Sequence, residues 1–405
     1  MTACRICHST SLDPVLDLGN QTLTGFFPSP GQEIPKSQLL LSWCSSCGLS
    51  QLGSDVDVDQ LYGPHYGYRT SLNQSMIDHI QGITNGIETN YLGDASANIL
   101  DIGSNDGTLL SCYKGDHILV GVDPLALHYD DRYPSKAICI EGFFSEQLVR
   151  KHCDKLEFDA ITSIAMFYDL PDPIEFVHQV RNLLKRKGVW VFEVSYLPHM
   201  ITNLSYDTIC HEHLEYYTFS NLQHILQRAG MEVIGFGLND TNGGSICIAA
   251  ARQGSFPTAD VSRLLQFEAN GGYLGKEVLD AFAKKAKAHA ADVRRLLRGI
   301  KQRGETVLGI GASTKGNVLL QYAGVTPDLL PAIGEVNQDK FGKRTPGTDI
   351  PIISEEQILA QNPDYLFILP WHFRKGFEKI FASYVEGGGR LIFPLPRIEI
   401  HGKGS

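Results

Sequence analysis

The sequence predicts an α/β protein with a small cysteine-rich N-terminal module followed by two larger parallel-sheet domains. Three observations predict this. Two Cys-x-x-Cys pairs, Cys4/Cys7 and Cys44/Cys47, fall within the first 60 residues. From residue 98 short apolar runs alternate with helical patterns, and the same alternation restarts near residue 306, each time with a glycine-rich loop after its first strand. Repeating βα units of this kind build parallel sheets covered by helices. At 405 residues the chain is too long for one ordinary core, so two or three domains are expected. We place them at 1–65, 66–255 and 256–405.

In the first module, four thiolates at this spacing can close a tetrahedral zinc site, each Cys-x-x-Cys turn giving two sulfurs to one metal. The competing reading is a redox dithiol, which belongs at a strand-to-helix junction inside a βαβ unit. These pairs do not occupy one. An all-cysteine ligand set leaves no open position, so the zinc is expected to be structural. Cys112, Cys139, Cys153, Cys210 and Cys247 are scattered and odd in number, which suits a reducing cytoplasm better than a disulfide framework.

The segment Tyr62–Thr70 places Tyr62, Tyr66 and Tyr68 among glycines. Aromatics pack by default, but this spacing also suits a flap over a ligand. Strands are expected at 98–103, 117–123, 137–141, 158–164 and 189–194. The helix between the last two starts on Asp172-Pro173, shows an apolar face of Ile174, Val177, Val180 and Leu184, and ends in Lys185-Arg186-Lys187-Gly188. Residues 231–250 read as two strands around Asn242-Gly243-Gly244, a hairpin signal. A doubly wound sheet with an antiparallel edge is the result. A long charged helix over 275–303 leads to the last domain, with strands at Thr306–Ile310, Leu330–Glu335, Tyr365–Leu369 and Arg390–Phe393.

The loop Asp101-Ile102-Gly103-Ser104-Asn105-Asp106-Gly107 ends one strand and starts a helix, where bare backbone N–H groups meet a ligand. It lacks the G-x-G-x-x-G spacing that seats a pyrophosphate. Asp101 at its mouth would repel phosphate and attract an amino group. A cofactor with a methionine-type tail, S-adenosylmethionine, fits better than a dinucleotide. Asp123, ending the next strand before Pro124, is placed to accept from ribose hydroxyls.

Tyr206–Tyr217 is dense in proton-transfer groups, with Cys210-His211-Glu212-His213 at its centre and Glu215 close by. H-E-x-x-H is absent, so metal binding competes with a general base oriented by a carboxylate. The loop Gly309–Asn317 is not a Walker loop. It could cradle phosphate through Ser313, Thr314 and Lys315, or simply turn the chain.

In this order of landmarks the chain resembles the three-domain sugar C-methyltransferases of deoxysugar biosynthesis. The resemblance spans nearly the whole chain, through Cys4/Cys7/Cys44/Cys47, Asp101–Gly107, Glu212-His213 and Gly309–Gly316. It implies a structural zinc module, a Rossmann-like class I methyltransferase domain and a Rossmann-like C-terminal domain that helps grip a nucleotide-linked keto sugar. Members methylate a carbon beside a keto group, typically C-3 of a 4-keto sugar. His213 then looks like the catalytic base, Glu212 its neighbour, and Tyr68 a tyrosine holding cofactor and substrate. Two departures stand among the acid–base groups: Cys210 where members carry a tyrosine, and Asp169 where they carry a histidine.

The expected catalytic set is therefore His213, Glu212, His211, Tyr68 and Asp169. Cofactor contacts are expected from Tyr66, Asp101, Gly103, Ser104, Asn105, Asp123, Pro124, Phe143, Phe144 and Ser163. Substrate contacts are expected from Tyr168, Tyr196, Cys210, Ser313, Thr314, Lys315 and Asn317. A methyl acceptor that is not a nucleotide sugar is the alternative.

A net charge of −10 argues against nucleic acid as a partner. No apolar run is long enough to span a bilayer, and no apolar signal core follows the N-terminus. We expect a cytoplasmic enzyme, monomeric or weakly dimeric.

Overall fold

In the computed structural model the described residues are 3–53, 56, 61–62 and 68–402. The N-terminal module holds β1 (Leu12–Thr22), β2 (Lys36–Cys44) and β3 (Ser50–Leu52). The central domain contributes β4 (Asn98–Ile102), β5 (Ile118–Asp123), β6 (Ile138–Glu141), β7 (Phe158–Ile164), β8 (Leu184–Ser195), β9 (Glu215–Tyr216), β10 (Met231–Asn239) and β11 (Ser245–Arg252). The C-terminal domain has β12 (Val307–Ile310), β13 (Ile333–Glu335), β14 (Ile352–Ser354), β15 (Tyr365–Ile368), β16 (Arg390–Phe393) and β17 (Glu399–His401).

The central sheet runs β10-β11-β8-β7-β4-β5-β6, parallel from β8 to β6 and antiparallel at the β11 and β10 edge. Its central parallel strands are buried on both faces, as their continuous apolar runs require; Ile99, Leu100 and Ile102 of β4 are all inside, while the edge strand β6 stays partly exposed. The helix Pro173–Leu183 begins where expected, with the Asp172 carboxylate accepting from the Glu175 N–H at 3.0 Å. The C-terminal sheet, β14-β13-β12-β15-β16-β17, is parallel apart from β17.

The N-terminal sheet is completed by the central domain: its order is β1-β2-β3-β9. The module is a wedge between the larger domains. Leu16, Leu18, Leu39 and Leu41 share one core with Leu279 and Phe282 of the long helix Lys276–Gln302 and with the C-terminal sheet. Ile6 and Leu49 share another with Tyr217, Phe219 and Leu222 of the central domain. The helix Ser262–Gly271 packs on the helix Phe219–Arg228. No helix among the described residues is long and apolar enough to cross a membrane.

Candidate active site

Strand order reverses around β4, with β5 and β6 on one side and β7 and β8 on the other. That switch point opens a crevice at the carboxyl ends of the strands. A cleft of about 360 Å³ lies there. Asp101, Gly103, Ser104, Asn105, Asp123, Pro124, Phe143 and Phe144 line it, as does Tyr68. Tyr66 lies outside the described residues.

The glycine loop is held shut from behind. Gly107 takes φ +73°, and a Cβ there would press on the Tyr133 ring at 2.8 Å. The Tyr133 hydroxyl bonds both Ser104 Oγ and the Asn105 carbonyl at 2.8 Å. Asp123 accepts from the Asn105 N–H at 2.9 Å and from the Leu125 N–H at 2.8 Å, which fixes its carboxylate at the cleft wall. Asp101 is buried and accepts from Thr162 Oγ1 at 2.6 Å. Burial raises its carboxyl pKa to about 7. Among the described residues, no Lys, Arg or His lines the cleft. Three carboxyl groups without a cation, Asp101, Asp123 and Asp169, disfavour phosphate and suit a ligand carrying an ammonium, a sulfonium and ribose hydroxyls.

A second cluster forms where the three domains meet. The His213 imidazole donates through Nδ1–H to the Thr208 carbonyl at 2.8 Å. A carbonyl can only accept, so the tautomer is set and Nε2 keeps its lone pair. Burial, then the Lys315 cation, push the imidazole down to about 3, so it is neutral at physiological pH. The Tyr168 ring packs edge-on against it, with centroids 4.3 Å apart.

Glu212 is buried, its Oε1 has no hydrogen-bond partner among the described residues and Oε2 lies 3.5 Å from Thr24 Oγ1. Burial raises its pKa. A Cβ at Gly25 would press on Glu212 Oε1 and displace that carboxylate; Thr314 Oγ1 lies on the same side. Cys210 is buried beside Glu212, and burial holds its thiol far above the usual range.

From the C-terminal domain, Lys315 Nζ donates to the Asn242 carbonyl at 2.7 Å, across to the central hairpin turn. Ser313 caps its helix by accepting from the Gly316 N–H at 3.1 Å. Asn317 is fully buried and donates to the Thr24 carbonyl at 2.7 Å.

Three expected site residues stand elsewhere. His211 is turned away from His213 toward the N-terminal module, with Nε2 3.2 Å from the Ser37 carbonyl and Nδ1 3.5 Å from Thr24 Oγ1. It joins two domains and is not placed to donate to a reacting oxygen. Ser163 does not line the cleft; buried inside the sheet, it accepts from Trp190 Nε1 at 2.9 Å. Its strand neighbours Thr162 and Ile164 face the other way, by the two-residue alternation of strands. Tyr196 is fully buried and spends its hydroxyl on Glu268 Oε1 at 2.8 Å. That carboxylate also accepts from the Phe219 and Ser220 N–H groups at a helix N-terminus.

Asp207, Trp371 and His372 were not anticipated. Trp371 Nε1 donates to Asp207 Oδ2 at 2.7 Å across the domain boundary, leaving Asp207 Oδ1 and His372 Nδ1 buried with no hydrogen-bond partner among the described residues. Trp371 and His372 directly follow β15, so the strand-end rule could have found them.

The metal centre has the simplest geometry. The four sulfurs of Cys4, Cys7, Cys44 and Cys47 lie within 4.8 Å of one another. Cross-pair S–S separations are 3.5 Å for Cys4/Cys47 and for Cys7/Cys44. Four convergent thiols suit one tetrahedral zinc ion. Among the described residues no second group of three metal-ligating side chains converges, and His211 and His213 turn to different carbonyls, those of Ser37 and Thr208.

Comparison with known proteins gives three family matches in register with the three domains. Residues 4–62 match a zinc binding domain, 83–235 a methyltransferase domain, and 240–396 a C-methyltransferase C-terminal domain. C-methyltransferase NovU of Streptomyces niveus is 30% identical over 97% of this chain and 95% of its own length. A ubiquinone biosynthesis O-methyltransferase of Glaesserella parasuis is 27% identical over 29% of this chain and half of its own. Among solved structures, the plantazolicin methyltransferase BpumL with S-adenosylhomocysteine covers 43% of this chain and 82% of its own, with 16% identity and a TM-score of 0.34. With all three domain models in order and a relative matched end to end, the chain belongs to the C-methyltransferase family that joins a zinc-binding module, an S-adenosylmethionine-dependent methyltransferase domain and a C-terminal domain of its own.

Proposed function

We propose that this C-methyltransferase acts on a carbon beside the keto group of a nucleotide-linked sugar, C-3 of a 4-keto sugar, through an enolate. The observation that carries the reading is the His213 tautomer: Nδ1–H is committed to the Thr208 carbonyl and Nε2 has no partner among the described residues. A C–H next to a ketone is acidic because its electron pair delocalises onto oxygen. A neutral imidazole is the group to take that proton. S-adenosylmethionine supplies the electrophilic methyl group when bound. Glu212, next to the base, offsets the charge His213 gains. Tyr68, at the cleft edge, orients the acceptor. Holding both reactants in one crevice supplies rate through orientation. The 309–317 loop, with Thr314 facing Glu212 across Gly25, would hold the nucleotide end.

The second reading, an acceptor without a nucleotide, is favoured by one observation: the Ser313 hydroxyl and one Lys315 N–H are already engaged within the protein. One experiment separates the two. Incubate the enzyme and S-adenosylmethionine with a panel of nucleotide-linked keto sugars, and with the same sugars reduced to alcohols, then weigh the products by mass spectrometry. A methylene gained by a keto sugar and not by its alcohol supports the enolate route. No gain on any keto sugar, with cofactor binding intact, refutes it.

A further inference from the structure

Asp169 stands on the turn that joins the cofactor cleft to the base. It follows β7 in the turn Phe167–Asp169 and lines the cleft together with Tyr62. The residue before it, Tyr168, packs against His213, and its carbonyl accepts from the Leu214 N–H at 2.8 Å. Phe167 anchors the turn from behind, its ring 5.3 Å from both Trp190 and Phe192 and 5.6 Å from Tyr217. These ring contacts hold the turn against the sheet.

The two carboxyl oxygens of Asp169 are not equivalent. Oδ2 accepts from the Tyr62 hydroxyl at 2.6 Å. Oδ1 is buried with no partner among the described residues. The groups acting on it are Tyr62, Cys210, Glu212, Glu215, Tyr216 and Tyr217; none of them is a cation at neutral pH. Of the cations acting on these neighbours, Arg5 is paired with Glu215, and Lys315, which acts on Cys210, donates to the Asn242 carbonyl. A carboxylate with one bare buried oxygen among acids takes up a proton. Burial holds its pKa well above the carboxylate range; the Tyr62 hydrogen bond opposes this and Glu212 adds to it. Because Oδ2 is occupied as an acceptor, the proton belongs on Oδ1.

We propose that Asp169 is a catalytic acid whose Oδ1–H donates to the carbonyl oxygen of the methyl acceptor while His213 Nε2 removes the proton from the adjacent carbon. The inference rests on the keto-acceptor reading above. The C–H bond breaks and its proton goes to Nε2. Its electron pair becomes the C=C bond, and the carbonyl π pair moves onto oxygen, where Oδ1–H stabilises it. The enolate carbon then bonds to the methyl group as the methyl–sulfur bond breaks, with that pair remaining on sulfur. The C=O re-forms, Asp169 keeps its proton and His213 holds the one the substrate lost. Tyr62 is the positioning residue, since its hydrogen bond decides which oxygen carries the proton. A neutral buried carboxylic acid is a competent donor to an enolate oxygen.

Two measurements test this separately from the keto-acceptor reading. Infrared difference spectra between wild type and Asp169→Asn, both saturated with S-adenosylhomocysteine, should show the C=O stretch of a protonated carboxyl at neutral pH. Absence of that band overturns the proposal whatever the substrate. With the keto sugar that turns over in the panel, Asp169→Ala should lose ~100- to 1,000-fold in kcat, the range for removing one oxyanion donor. Its affinity for S-adenosylhomocysteine should stay within ~3-fold. Asp169→Asn still offers an N–H, so it should keep turnover within ~10-fold and lose the alkaline limb of the kcat–pH profile. A loss in Asp169→Asn as deep as in Asp169→Ala would make the carboxylate the active form and overturn the acid role. A protonated band without turnover on any keto sugar would sink the keto-acceptor reading and, with it, the role of this acid.

Discussion

Arg5 Nε lies 3.3 Å from Glu215 Oε1, and both side chains are almost fully buried. Arg5 sits between the first two cysteines, and Glu215 two residues after His213. Arg5 also donates through Nη1 to the Leu52 carbonyl at 2.9 Å and the Leu214 carbonyl at 3.2 Å. The metal module therefore grips the segment carrying His213 by side chain and by strand. Removing one partner of a buried pair strands the other's charge, at about 3–5 kcal/mol. Arg5→Met should lower the denaturant midpoint by a corresponding amount, and the double variant Arg5→Met/Glu215→Leu should recover most of it. Equal losses in single and double variants would show that the pair is not the source.

His213→Asn should retain the fold and the affinity for S-adenosylhomocysteine while turnover falls by at least ~100-fold, the lower range for loss of a general base. Wild-type turnover should show no acid limb from His213 above about pH 5, because its imidazole titrates near 3. Near-normal rates in the variant, read by the mass-spectrometric assay, would end the base assignment.

The Asp101 carboxyl has its pKa raised to about 7 by burial. It is anionic above that pH, and the ligand it faces is cationic. Affinity for S-adenosylmethionine should therefore rise between pH 6 and 8. Asp101→Asn should flatten that rise and cost ~10-fold at pH 8, about 1.4 kcal/mol. Calorimetric titration at both pH values reads the slope. An unchanged slope would mean that Asp101 does not face the charged tail.

How far the sequence carries follows from the range of the forces involved. The parallel strands, the Asp172-Pro173 helix start and the hairpin at 242–244 are local signals and stand close to where their patterns put them, although β8 opens at Leu184 and takes in the Lys185–Gly188 segment expected to end the helix. The cysteine set converges because two fixed-spacing turns have few ways to meet. What could not be read depends on partners distant in sequence. His211 and His213 are two residues apart, and only the fold sends one to the Ser37 carbonyl and the other to the Thr208 carbonyl. Tyr196 is occupied by a carboxylate 72 positions away. Ser163 was lost to strand parity, which needs the register of the whole sheet. β9 is two residues long, too short for any periodicity, yet it joins two domains.

His211 supplies a pH test of that joint. Burial lowers its pKa to about 4, against an ordinary value near 6.5. The unfolded chain binds the proton more readily than the native state between those values, so native stability from this group is full above about pH 6.5 and falls as pH drops toward 4. The stability difference between wild type and His211→Gln should shrink over that window and stay flat from pH 7 to 8. Urea midpoints at four pH values would show it. A difference independent of pH would mean that His211 is not buried neutral.

Zinc should matter to catalysis through β3. Cys44 closes β2, and β3 pairs with β9 through Ser50 with Tyr216 and Gln51 with Glu215. The Leu52 N–H donates to the Leu214 carbonyl at 2.9 Å, one residue from His213, and the Cys47 carbonyl accepts from Asn221 Nδ2 at 3.2 Å. The cofactor cleft is walled mainly by the central strands and their loops instead. Structural zinc in small modules supplies roughly 10–16 kcal/mol of binding energy that is also folding energy. Without it four thiols must separate, and β3 loses its anchor. Cys44→Ser should lose zinc by atomic emission and lower Tm. Its kcat should fall while S-adenosylhomocysteine binds within ~3-fold of wild type. The split is diagnostic: loss of both together would mean global unfolding, and a zinc-free variant with full turnover would detach the metal module from the catalytic segment.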